Sequence, residues 1–200
     1  MKRIILLATA LAALTSAQAQ EKISREEGLK YAFVAAANLQ QMLNTPIPTD
    51  PDVKRPVGVK DGEYGGMVLP ESKLSPETFA KAGKEVIPVG QMWMHKLAPM
   101  NAGQVVPAAK LRMVHLSAEG NDADVPCCAL GVAKGANGEL ELLIYGKASE
   151  PVTRVPLKAI SKPQDSPIEI SAERKDDGGL ITLRFVGKYE ASFMVTDPDA

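Results

Sequence analysis

The 200-residue chain is short of the side chains that most chemistry needs. It has two Cys, two His and one Trp, with only four Phe and four Tyr. Two cysteines cannot replace a core with a disulfide framework. Charge of one sign is lacking as well: 23 Lys+Arg stand against 24 Asp+Glu, and the basic residues form no run. That excludes the electrostatic footprint of a nucleic-acid or anionic-membrane binder. No apolar stretch reaches the roughly 20 residues of a membrane-spanning helix. There is no internal repeat and no low-complexity tract. What the chain does have is 45% hydrophobic and 24% charged residues, enough for a packed core.

Catalytic motifs are missing too. No Ser sits in a G-x-S-x-G turn, and a Ser–His–Asp arrangement would have to use His95 or His115. A Cys–His pair could be drawn from Cys127 or Cys128, but neither cysteine has a nucleophile's sequence context. Paired carboxylates could converge anywhere, yet few aromatics besides Trp93 are present to form a sugar platform. There is no phosphate loop, dinucleotide fingerprint or HExxH. The chain reads as non-catalytic.

The N-terminus carries the clearest address. Lys2 and Arg3 precede the apolar stretch Ile4–Leu14, and Ala17-Gln18-Ala19 offers the small residues a signal peptidase accepts. The expectation is a bacterial signal peptide over 1–19, cleaved near Ala19, with the mature chain in the periplasm or the medium. Removing Lys2 and Arg3 leaves 21 basic residues against 24 acidic ones. No transmembrane span should remain after cleavage.

All 15 Pro and 16 Gly lie beyond residue 20, punctuation that suits short strands better than a helical bundle. One N-terminal amphipathic helix is expected within 20–44. Ser24 is its N-cap, Glu27 completes a capping box, and Leu29, Ala32, Phe33, Ala36, Gln40 and Leu43 form its face. Residues 45–66, with four Pro and four Gly, predict an extended linker, hostile to helix and to a central strand.

The β-rich domain would occupy 67–200. Met67-Val68-Leu69 suggests a strand, and Ser75-Pro76-Glu77 opens a short helix ending at Gly83. Period-two patterns mark strands at 86–97, 110–118, 125–134, 140–145, 152–157, 168–172, 180–186 and 189–195. Turns at 134–138, 176–179 and 187–188 should close hairpins. Each sheet should have one apolar and one wet face. The fold class is mainly β, an antiparallel sandwich or open barrel of about eight short strands.

One cluster stands above background. Met92, Met94, His95, Met113, His115, Cys127 and Cys128 are soft or imidazole donors of the kind that hold Cu(I). Alternation puts Met92 and Met94 on one face and Trp93 and His95 on the other. If strands 86–97 and 110–118 paired, Met113 and His115 would lie beside one of those subsets. Packing accounts for the same methionines, since Met fills cores. Adjacent cysteines on a strand face opposite ways, which suits two separate thiols better than a strained ring. Glu119, Asp122 and Asp124 read as a solvated acidic loop, without the spacing of a calcium loop. The expected function is an exported non-catalytic module without cofactor, binding a protein or envelope partner or serving structurally. A periplasmic copper-binding protein is the alternative.

Overall fold

The structure is a computed structural model that describes residues 20–37, 46–83, 85–118, 120–175 and 178–199. The expected signal peptide and residues 38–45 lie outside them. Two antiparallel sheets pack as a sandwich, as the alternating pattern predicts.

In chain order the first elements are β1 (Glu21–Lys22), α1 (Arg25–Ala37), β2 (Val57–Asp61), β3 (Tyr64–Pro70) and α2 (Pro76–Ala80). Next come β4 (Ile87–His95), β5 (Ala98–Asn101), β6 (Gln104–Val105), β7 (Met113–Ala118), β8 (Asn121–Lys134) and β9 (Leu140–Tyr145). The last are β10 (Pro151–Pro156), β11 (Lys158–Ala159), β12 (Ile168–Lys175), β13 (Gly178–Phe185) and β14 (Tyr189–Thr196). The first sheet has eight strands, ordered β1-β2-β3-β4-β8-β9-β10, with β7 also paired to β8. The second has six, ordered β12-β13-β14-β5-β6, with β11 also paired to β14.

The core lies between the sheets. Ile181, Leu183 and Phe185 of β13 point into it, as do Ala191, Phe193 and Val195 of β14. They meet Val68, Met92, Met94, Cys128, Leu130, Leu142 and Ile144 from the first sheet. Phe79 of α2 closes one side, its ring 5.5 Å from Phe185 and 5.2 Å from Tyr189. Ser75 caps α2 through the Thr78 amide, with Pro76 at the first helical position.

Three expectations need correction. First, residues 45–66 are not a linker throughout. Residues 57–70 form the β2–β3 hairpin, and β3 is a central strand bonded to β4. Gly62, at φ 60°, opens a two-residue turn where positive φ is required. Pro56 ends just before β2, so the prolines do not interrupt the ladder until Pro70.

Second, α1 is rolled about its axis relative to the expected stripe. Gly28, Ala32 and Ala35 are its buried residues, while Phe33 is 64% exposed. Small side chains let the helix backbone approach the sheet: a Cβ on Gly28 would stand 3.2 Å from Pro56 Cγ. Ser24 does cap the helix through the Glu27 amide. The expected stretch beyond Ala37 lies outside the described residues.

Third, the acidic loop is largely strand. Asp122 and Asp124 belong to β8, opposite Ser117 and His115 of β7. Glu119 lies outside the described residues.

The β5–β6 hairpin was not foreseen. Lys96, at φ 52°, follows β4, and the chain then enters the second sheet, where β5 pairs β14. Ala102 and Gly103, at φ 49° and 79°, form the turn before β6.

Candidate functional site

The strand register scatters the expected donor set. β4 and β7 do not pair with each other; each pairs with a different half of β8. Met92 lies opposite Cys128, and Met94 shares their interior face. Trp93 lies opposite Cys127 in the cluster beneath α1. His95 is exposed at the end of β4. Met113 is 39% exposed, and His115 Nδ1 lies 3.0 Å from Asp124 Oδ1 on the surface. Only Met92, Met94 and Cys128 are therefore brought into one region, and that region is the sealed core. The conditional pairing of Met113 and His115 with β4 residues is corrected by this register. Among the described residues no group of three or more His, Cys, Asp or Glu is placed to hold a metal ion.

The two thiols face opposite ways, as alternation requires. Burial pushes Cys128 up to about 12. Cys127 is also pushed well up, by burial and then by its neighbour Cys128. A nucleophilic cysteine needs the opposite shift, toward thiolate.

The concave features lie elsewhere, around the β2–β3 hairpin. An inter-sheet cleft of about 600 Å³ opens between that hairpin and β12–β14. Val59, Leu97, Ala172, Ile181 and Val195 supply its apolar walls. Its rim is charged and ties the two sheets together. Arg174 Nη2 of β12 lies 3.1 Å from Asp61 Oδ2 of β2. Tyr64 of β3 donates its hydroxyl to Asp197 Oδ2 at 3.1 Å, and this bond raises the Tyr64 pKa. Gln20 also lines the cleft, with its buried Oε1 lacking a hydrogen-bond partner.

A second cleft, of about 580 Å³, lies on the other side of β3, beneath α1. Met67, Trp93, Leu116, Ala123 and Val125 contribute to it from the sheet, with Val34 and Ala35 from the helix. Polar side chains gather at Tyr31, Lys60, Glu63 and His95. Lys60 Nζ lies 3.1 Å from Glu27 Oε1, tying β2 to α1. The same bond, before any other cause, holds Glu27 below the usual carboxylate range and Lys60 above the usual lysine range. Glu63 is engaged by Lys96.

Gly65 and Gly66 line both clefts. Gly66 lies opposite Met94 and faces the interior: a Cβ there would meet Ile170 and Ile181 at 3.7 Å. Gly65 shares the outward face of Met67, where a Cβ would meet only the Val59 carbonyl oxygen, at 3.7 Å. Missing side chains at these positions leave room on both sides of β3.

Sequence reasoning missed this region because Pro and Gly content outweighed a hairpin signal. Val57 and Val59 alternate before Gly62-Glu63, and a Gly at the first position of a two-residue loop after alternating apolar residues marks a tight hairpin turn. No family model, no curated protein and no solved structure matches the chain.

Proposed function

We propose that this chain is an exported, non-catalytic β-sandwich module whose role is binding, and that the clefts flanking Gly65 and Gly66 form its binding region. The observation that carries the reading is the pair of clefts, of about 600 and 580 Å³, on the two sides of one strand. Each falls within the range of about 300–1,000 Å³ typical of ligand sites. Two features support a role without catalysis. Burial drives both thiols away from thiolate. The two imidazoles sit apart, His95 at the end of β4 and His115 on β7.

Export rests on the residues before Gln20. Cell fractionation with intact-mass measurement tests it. The expected product is a periplasmic or secreted chain beginning at Gln20 or Glu21; a cytoplasmic chain that keeps Lys2 and Arg3 overturns the reading. Binding is tested by hydrogen exchange with and without an envelope extract. Protection is expected in β2, β3 and α1, and protection confined to other elements overturns the assigned region.

A soft-metal role is the second reading. The opposition of Met92 and Cys128, with Met94 on their face, is what favours it. All three side chains lie in the apolar core, so metal entry would require the sheets to part.

A further inference from the structure

The mature N-terminus expected from signal cleavage falls at the inter-sheet cleft. Glu21 and Lys22 of β1 pair with Lys60 and Val59 of β2. The Ile23 amide donates to the Gly58 carbonyl at 2.9 Å. Carrying that register back by one residue sets Gln20 opposite Asp61, and both line the cleft. Ladder bonds alternate along an antiparallel pair. Because the Ile23 amide points at β2, the Gln20 nitrogen points away from it, outside the ladder. β1 is the edge strand of its sheet, so among the described residues no other strand takes that side.

The side chain of Gln20 reaches into the cleft without being tied there. Its Oε1 is buried with no hydrogen-bond partner, which costs the folded chain stability. The charges that line the cleft are already matched. Asp61 is paired with Arg174, Asp197 accepts from Tyr64, Lys60 lies against Glu27 and Lys175 against Glu173. Cleavage after Ala19 adds an α-ammonium to this set, and the lining holds no free carboxylate to receive it.

We propose that Gln20, freed as the mature N-terminus, closes to pyroglutamate, and that the lactam seats at the mouth of the inter-sheet cleft. The α-nitrogen attacks Cδ of its own side chain. The N–Cδ bond forms and the Cδ–Nε2 bond breaks. Nε2 takes the proton that the α-nitrogen gives up and leaves as ammonia. No oxidant, reductant or second substrate is consumed. Nucleophile and carbonyl belong to one residue and meet in a five-membered ring, so proximity favours the step. An α-amine titrates near pH 8, so about a tenth of it is the neutral nucleophile at pH 7. The product carries no charge, and ring closure draws the carbonyl back toward the backbone, away from its unpartnered position. The proposal goes beyond the binding reading and rests on its export clause, with cleavage after Ala19.

The experiment recovers the chain from the periplasm or the medium and measures its intact mass and its fragmented N-terminal peptide. Expected is a chain that begins at residue 20, lighter than the Gln20-initiated sequence by one ammonia and resistant to aminopeptidase. Gln20→Asn cannot form the five-membered lactam and should keep its full mass and a free amine. Native-state hydrogen exchange then compares the two chains. Loss of the lactam should speed exchange of the Ile23 amide several-fold and leave β13 and β14 unchanged. A folded chain that still begins with unmodified Gln20 after prolonged incubation at neutral pH overturns the proposal, and so does a mature chain that begins at Glu21. Equal Ile23 exchange in the two chains overturns the seating of the lactam in the cleft. Those results leave export standing. A chain that keeps Lys2 and Arg3 overturns the export reading and this proposal with it, so the two failures are distinguishable.

Discussion

The two faces of β8 solve different packing problems. Toward the second sheet it presents Cys128, Leu130 and Val132, with Met92 and Ile144 as large neighbours. On the other face, Cys127 lies beneath α1, while Ala129 and Ala133 lie beneath Ile47 and Val86. Gly131 belongs to that outer face, where a Cβ would stand 3.0 Å from Ile47 Cδ1. Between sheets, long side chains from both partners must fill a gap of about 10 Å. On the outer face a helix and an extended segment come close, and small residues are what that approach requires. The lesson is that the first sheet is covered on both sides, so the expected wet face is absent along much of β8. The second sheet keeps one: Thr182 and Ser192 pair their hydroxyls at 2.7 Å on its exposed side.

The sharpest way to test this contrast is to remove volume from the interior. Phe185 has no exposed surface and contacts Phe79. Phe185→Ala should cost about 3–5 kcal/mol, since the rigid sheets cannot collapse around the void. Urea denaturation measures it, and a loss below about 1 kcal/mol would show that this core is loosely packed.

The outer face should show the opposite sensitivity, to added volume. Ala32 is fully buried in the Trp93 and Met67 cluster. Ala32→Leu should cost about 1–3 kcal/mol by forcing α1 off the sheet. Hydrogen exchange should speed in α1 while β13 and β14 stay protected. Uniform loss of protection would mean that the helix and sandwich unfold as one unit.

These two faces also explain what could be read in advance. β13 and β14 alternate cleanly because one side packs and the other is solvated, so Ile181, Leu183, Phe185 and Phe193 were legible as core. Alternation likewise separated Met92 from Trp93 and Cys127 from Cys128. The roll of α1 was not legible. A stripe counted by hydrophobicity chooses Phe33, whereas the helix docks through Gly28, Ala32 and Ala35, whose value is their small size. The clefts were hidden for a related reason: Gly65 and Gly66 matter for the side chains they lack, which apolar periodicity does not register.

The donor set offers a smaller effect. Met92 is buried opposite Cys128, where shape matters more than sulfur. Met92→Leu, close in volume, should cost less than about 1.5 kcal/mol. In competition with a Cu(I) chelator, His115→Ala should leave the metal affinity of the chain unchanged, because His115 of β7 pairs with Asp124 of β8 on the surface, apart from β4. Stoichiometric binding that disappears in His115→Ala and survives loss of both cysteines would restore the copper reading.

The smallest effect belongs to the Lys60–Glu27 tie between β2 and α1, which separates electrostatic from steric docking of the helix. Its side chains are 33% and 28% exposed, so solvent and salt screen it. The Lys60 hydrogen bond lowers Glu27 from its ordinary 4.5. The Glu27 hydrogen bond raises Lys60 from its ordinary 10.5. A depressed carboxyl pKa adds stability above 4.5 that is lost as pH falls through the folded value. A raised ammonium pKa adds stability below 10.5 that is lost as pH rises through the folded value. Wild type should therefore melt above Glu27→Gln by a small, nearly constant margin between those two pH values, and the margin should close beyond either. Added salt should narrow it throughout. A margin that persists at pH 2 would assign the stabilisation to the Tyr31 hydrogen bond or to packing, leaving small-residue contact as what seats α1.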